Sequence, residues 1–169
     1  MYTTTARGGV WALVIARSPS YIEERFPSLR VVKKYEALRD FVRQAQLDGK
    51  DIKSDPHVRR TVAWLATQVE AAKMHCLRVI TKAAAGEVPN LESAMFKLFT
   101  TQLGQKIADE LLTMAGPHGA IRRGSPGAPI DGRMENYYRY SVIDTVGAGT
   151  SEVQRNIIAR RGLGLPVEN

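Results

Sequence analysis

The chain has one cysteine in 169 residues. That excludes an internal disulfide framework and fits a reducing compartment such as the cytoplasm. No apolar run approaches the roughly 20 residues needed to cross a bilayer, so no membrane partner is expected. Val10–Ala16, with Arg7 ahead of it, has the outline of a secretory signal core. It is short, and Gly8 and Gly9 interrupt its approach. Histidine is scarce too. His57, His75 and His118 lie far apart, with no cysteine or carboxylate at ligand spacing, so no metal centre is expected. His75, beside Cys76 on an apolar stripe, reads as a packing histidine. Strand-like alternation is nearly absent. Neither G-x-G-x-x-G nor a P-loop occurs, and no serine or cysteine sits on a nucleophile elbow. Chemistry must therefore come from a cofactor or from residues of a partner.

What is present describes one globular domain: 44% hydrophobic and 24% charged residues, with a net charge of +7. The positive surplus could attract a polyanion. Its arginine pairs (Arg59/Arg60, Arg122/Arg123, Arg160/Arg161) are spread along the chain, as on solvated helix faces.

The 3.6-residue period dominates. A first helix is expected over about 2–16, before Ser18-Pro19-Ser20, and a second over about 31–48, stopped by Asp48-Gly49-Lys50. A third opens on Asp55 as N-cap with Pro56 at the first helical position. Val58, Val62, Leu65, Val69, Ala72, Cys76, Val79 and Ala83 then alternate by four and three up to Gly86. A fourth begins near Asn90, carries Met95, Phe99, Leu103, Ile107 and Leu111, and ends at Gly116-Pro117. Residues 121–132 read as a loop, followed by a fifth helix over about 132–145 and a sixth from Thr150 to about Arg161. The expected fold is all-α, an antiparallel up-and-down bundle of about four to six helices forming a single domain over 1–169.

The stretch DTVGAGTSEVQRNIIARR (144–161) carries the chemical signal. Gly147 and Gly149 permit positive φ or close approach of another group. Thr150 or Ser151 can cap the helix, and Ser151 with Gln154 has capping-box spacing. Free N–H groups at such a helix start form a site for a phosphate or another anion, or simply a well-capped turn.

The wording of this stretch, GTSEVQRNIIARRGLGLP, resembles the C-terminal signature of acyl-CoA dehydrogenases. ESAMFKLFTTQLGQKIADELLTMAGPHG (92–119) resembles the family's helix ending in a glycine-rich turn, and TTARGGVWAL (4–13) resembles the start of an earlier helix. The resemblance implies a FAD-dependent removal of two hydrogens across the α,β carbons of an acyl-CoA, with a glutamate taking the α-proton. It also implies that this chain is the last of three domains, without the N-terminal helical and middle β-domains and not active alone. Further implications are a homo- or hetero-oligomer with other acyl-CoA dehydrogenase subunits, and no nucleic-acid partner.

By the same resemblance, Gly149, Thr150 and Glu152 face the flavin at the last helix. Gly116 and Gly119 form the turn that approaches a flavin across a subunit interface, and Arg7 lies near the thioester and CoA. Pro117 replaces a common glycine of that turn, and Thr113 stands where a glutamine often binds. The two positions that hold the base in family members are Ala148 and Ala6 here, and an alanine accepts no proton. The family's Arg-x-x-Phe-Gly segment is missing too; ERFPSLR (24–30) does not replace it. The alternatives are a non-enzymatic scaffold or interaction subunit of a heteromer, and a basic helical nucleic-acid-binding protein.

Overall fold

The structure, a computed structural model, describes residues 30–47 and 49–166. The expected helix over 2–16, with Ala6 and Arg7, lies outside the described residues. Five α-helices follow within them: α1 Arg30–Gln44, α2 Pro56–Ala84, α3 Asn90–Ala115, α4 Arg133–Val146 and α5 Ser151–Leu163. α3 is the axis of the domain. It packs against each of the other four helices, and α1 also packs on α2. This is the all-α bundle expected from the sequence.

The long helices begin and end where local chemistry directs. Asp55 accepts from the His57 and Val58 amides, at 2.6 and 3.3 Å, and Pro56 opens α2. At the other end Gly86 takes φ 81° and stops the helix. Lys82 then reaches across the α2–α3 connection to Glu92, at 3.0 Å. Gly116, at φ 57° and ψ −144°, ends α3 in a conformation that only glycine adopts readily. α4 starts beside the Gly116–Ala120 turn and returns to the first half of α3, so the two helices are antiparallel.

Three expectations are corrected. The helix expected over 31–48 stops at Gln44. Gln46–Leu47 and Lys50–Asp51 instead form a two-stranded antiparallel ribbon around Gly49, which sits at φ 74°. Asp-Gly is a hairpin-turn signal that the run of helix formers concealed. On α2 the buried stripe is Val58, Leu65, Val69, Ala72, Cys76 and Ile80, while Val62 and Val79 are half-buried and Ala83 is exposed. A strict alternation of four and three drifts by about 20° per heptad on a straight helix, so the seam moves on by one residue. On α3, Phe96 and Thr100 are buried and Met95 and Phe99 are only half-buried. Ala94, Gly104, Ala108 and Ala115 are also buried, because a helix with neighbours on several sides has no single apolar face.

His75 is half-buried with its ring 5.1 Å from that of Phe99, and burial, with a smaller contribution from Arg78, lowers its pKa. It packs, as expected. Cys76 is 2% exposed, and burial pushes its thiol up to about 11. Thiolate is the reactive form. The folded protein at pH 8 should therefore leave Cys76 unmodified by a thiol reagent on a timescale that labels it fully in denaturant. Comparable labelling rates in the two conditions would show that α2 does not pack as described.

Candidate functional site

The turn between α4 and α5 concentrates the backbone constraint. Gly147 is extended (φ −61°, ψ 146°), Ala148 has φ 56° and Gly149 has φ 93°. A left-handed alanine is held at roughly 1–2 kcal/mol of steric expense, so something must fix it. Two side chains do. Gln154 is 7% exposed, and its Nε2 donates to the carbonyls of Ala148 and Gly149, at 3.3 and 3.5 Å. Lys97 of α3 donates from Nζ to the Thr145 carbonyl at 3.2 Å and to the Gly149 carbonyl. At position 149 glycine is favoured by φ 93°, and a Cβ would lie 2.6 Å from Gln154 Nε2, so that amide would have to move off the loop carbonyls.

Burial lowers the Lys97 pKa, and the nearby carboxylates of Asp144 and Glu152 oppose that shift. The ammonium is thus placed where the carbonyl end of α4 carries negative partial charge.

α5 then opens. Thr150 is its N-cap, its hydroxyl oxygen accepting from the Val153 amide at 3.3 Å. The Ser151–Gln154 capping box does not form, because Gln154 turns back to the loop carbonyls instead. Glu152 is exposed, and its carboxyl is held below the usual carboxylate range by its own backbone N–H and then by the Thr150 hydroxyl. A carboxylate of the chain thus already competes for this helix start, which weakens the expectation of a bare phosphate site.

Beside the turn lies a partly open cavity of about 350 Å³. Its walls are Arg30, Val31 and Lys34 of α1, Phe96, Lys97, Thr100, Thr101 and Gly104 of α3, and Asp144, Gly147 and Ala148. Lys34 is 5% exposed and pairs with Asp144 at 3.3 Å, while Arg30 lies 4.0 Å from the same carboxylate. Ala148 therefore stands at the edge of a pocket of ligand size.

Gly116 and Gly119 are elsewhere. From Lys97 to Gly116 the α3 axis runs about 28 Å at 1.5 Å per residue. Gly119 is buried, and a Cβ there would press on Ala115 and Leu112 at 3.1 Å. Thr113 is exposed and donates to its own helix at Asp109. The sequence-derived candidates thus divide into two groups at opposite ends of one rigid helix. Gly149, Thr150 and Glu152 come together; Gly116 and Gly119 do not join them.

Lys34, Lys97 and Asp144 were not singled out from the sequence. Only Lys34 left a trace there, as a cation on the stripe formed by Val31, Leu38 and Val42. Among the described residues no group of three or more metal-ligating side chains occurs, and no helix is long and apolar enough to cross a membrane.

Comparison with known proteins agrees with this architecture. Residues 31–163 match the family model described as acyl-CoA dehydrogenase, C-terminal domain. The chain belongs to the acyl-CoA dehydrogenase family. It is 42% identical over 85 residues to the acyl-CoA dehydrogenase FadE26 of Mycobacterium tuberculosis, covering 50% of this chain and 21% of that protein. It is 31% identical to the acyl-CoA dehydrogenase IpdE1 of Mycolicibacterium smegmatis, covering 68% of this chain and 27% of that one. Among solved structures, the ChsE4–ChsE5 complex from Mycobacterium tuberculosis superposes with a TM-score of 0.73 at 28% identity. That match covers 82% of this chain and 36% of the other. The chain thus spans between about a fifth and about a third of the length of these relatives.

The geometry of the turn yields a direct test. Gly149→Ala should lower stability by about 1–3 kcal/mol, through strain and loss of the Gln154 bonds. Ala148→Gly should be neutral or stabilising by less than about 1 kcal/mol, because relieved strain offsets added chain entropy. Denaturant melts of both variants check this; equal losses would mean that the left-handed turn is not formed.

Proposed function

We propose that this chain is the C-terminal domain of a flavin-dependent acyl-CoA dehydrogenase-like protein, contributing flavin contacts and part of the acyl pocket. The observation that supports this best is the meeting, at Ala148, of a rigidly held helix start and a ligand-sized cavity. The residues fit the cofactor: Gly149 has no side chain to block approach, and the Thr150 hydroxyl can turn from the exposed Glu152 carboxylate to offer a hydrogen bond. FAD, when bound, accepts the hydride that leaves the β-carbon of the thioester. The chain's own tasks are to hold the cofactor edge through Gly149, Thr150 and Glu152, to orient the CoA ester through Arg7, and to keep the turn fixed. Gly116 and Gly119, about 28 Å along α3, belong on this reading to a second flavin carried by a partner subunit, in a homo- or hetero-oligomer.

Proton abstraction is where the chain departs from its family. Ala148 lines the cavity but has no base, and Ala6 offers none at the other position. A positioned general base is typically worth about 10²–10⁴-fold. This favours a second reading: a subunit that has lost its own site and works beside a competent partner. The similar solved structure described as a complex of ChsE4 with ChsE5 supports a heteromeric assembly by analogy.

The intact protein should purify yellow, with an oxidised-flavin spectrum, and Thr150→Ala should retain less flavin. Dye reduction with an acyl-CoA should be slow from this chain's own site, and Ala148→Glu should raise it by about 10²-fold or more. A protein that stays colourless after incubation with FAD would favour the scaffold alternative. Full activity with Ala148 in place would contradict the missing-base account.

A further inference from the structure

Lys34 is hard to explain by packing alone. It occupies a position of α1 whose neighbours on the same stripe, Val31, Leu38 and Val42, are buried and apolar. Its ammonium carries three N–H donors. Among the described residues it has a single hydrogen-bond acceptor, Asp144, with the Tyr137 ring 5.9 Å away. Asp144 is 31% exposed at its side chain, so the pair is only partly buried. A buried ammonium with donors left over often contributes no more stability than an apolar filler of similar volume. Opposite it, α3 carries a glycine in mid-helix. Gly104 weakens that helix by roughly 0.5–1 kcal/mol relative to alanine. A Cβ there would lie 3.4 Å from Lys34 Nζ, at contact distance, so the glycine leaves the ammonium without an apolar neighbour on that side. Two separate concessions, one on each of two helices, expose the same charged group to the same cavity.

The charges around that cavity favour one sign of ligand. Among the described residues, Arg30, Lys34 and Lys97 bring three positive charges to the lining and Asp144 one negative, a net surplus of two positive. Phe96 and Val31 add apolar surface to the wall, beside the hydroxyl-bearing Thr100 and Thr101. A ligand that matches both features has an apolar chain ending in an anionic group.

Resting on the acyl-CoA dehydrogenase reading above, we infer that this pocket selects an acyl chain bearing a second carboxylate, which Lys34 receives at its spare N–H donors. Lys34 is then a specificity-determining residue. Asp144 orients the ammonium, and Gly104 sets no apolar neighbour against it. A charge-assisted hydrogen bond of this kind favours the carboxylated chain by roughly 10-fold or more over a methyl-ended chain of equal length.

Calorimetric titration of the intact protein with octanoyl-CoA and with suberyl-CoA, its counterpart carrying a carboxylate at the far end, reads this directly. The expected result is about 10-fold or tighter binding of suberyl-CoA. The double variant K34M/D144N removes the ion pair without leaving an unpaired buried charge, and should bring the ratio of the two Kd values close to one. Lys34→Arg should retain part of the preference. Binding of octanoyl-CoA with no preference for suberyl-CoA would overturn the inference and leave the family reading intact. A preference that persists in the folded double variant would overturn the role of Lys34. Binding of neither ester would overturn both this inference and the acyl-CoA reading.

Discussion

A single ammonium group, Lys97 Nζ, ties the end of one helix to the beginning of the next. It donates to the Thr145 carbonyl in the last turn of α4 and to the Gly149 carbonyl just before α5. A helix leaves its last four carbonyls without partners in its own backbone. A cation placed there meets both the partner deficit and the negative end of the dipole. The lysine springs from α3, which touches every other helix of the described domain. The turn is thereby referenced to the most constrained element available. Its left-handed Ala148 and Gly149, the cap at Thr150 and the wall of the adjoining cavity all inherit their positions from that tie.

The same rod separates the two glycine-marked turns. The Gly149–Thr150 helix start and the Gly116–Gly119 turn lie about 28 Å apart along α3 at helical rise. A bundle built this way keeps the two glycine-marked turns apart, each fixed to its own stretch of α3. The cavity beside Ala148 adds a chemical asymmetry: it has basic and apolar walls but no side chain on Ala148 to take a proton.

Local chemistry was legible in the sequence, and long-range chemistry was not. Asp55-Pro56, Gly86, Gly116 and Thr150 mark helix ends through residues within a few positions of one another, and each marks an end in the structure. The helix ends at Gln44, short of Asp48, because Asp-Gly favours a hairpin as readily as a helix stop. The expected Met95–Phe99 stripe failed because α3 is enclosed on several sides. Lys97 reaches a carbonyl 52 residues away, and Lys34 a carboxylate 110 residues away. No periodicity reports such pairs; only the presence of a lysine in the apolar stripe of α1 hinted at one. The family signature located the α5 helix start, whereas the clamp that shapes it emerged only from the packing.

Lys97 preorganises the α5 start by holding the Thr145 and Gly149 carbonyls ahead of the Thr150 cap. Backbone hydrogen exchange at the first amides of α5, compared among the wild type, Lys97→Met and Lys97→Arg, tests it most directly. Loss of charge-assisted bonds worth about 1.5–3 kcal/mol should speed exchange at Val153 and Gln154 by roughly 10- to 100-fold in Lys97→Met. Lys97→Arg should fall between, and the buried amides of α2 should be unaffected. Unchanged exchange at Val153 and Gln154 in Lys97→Met would contradict the account.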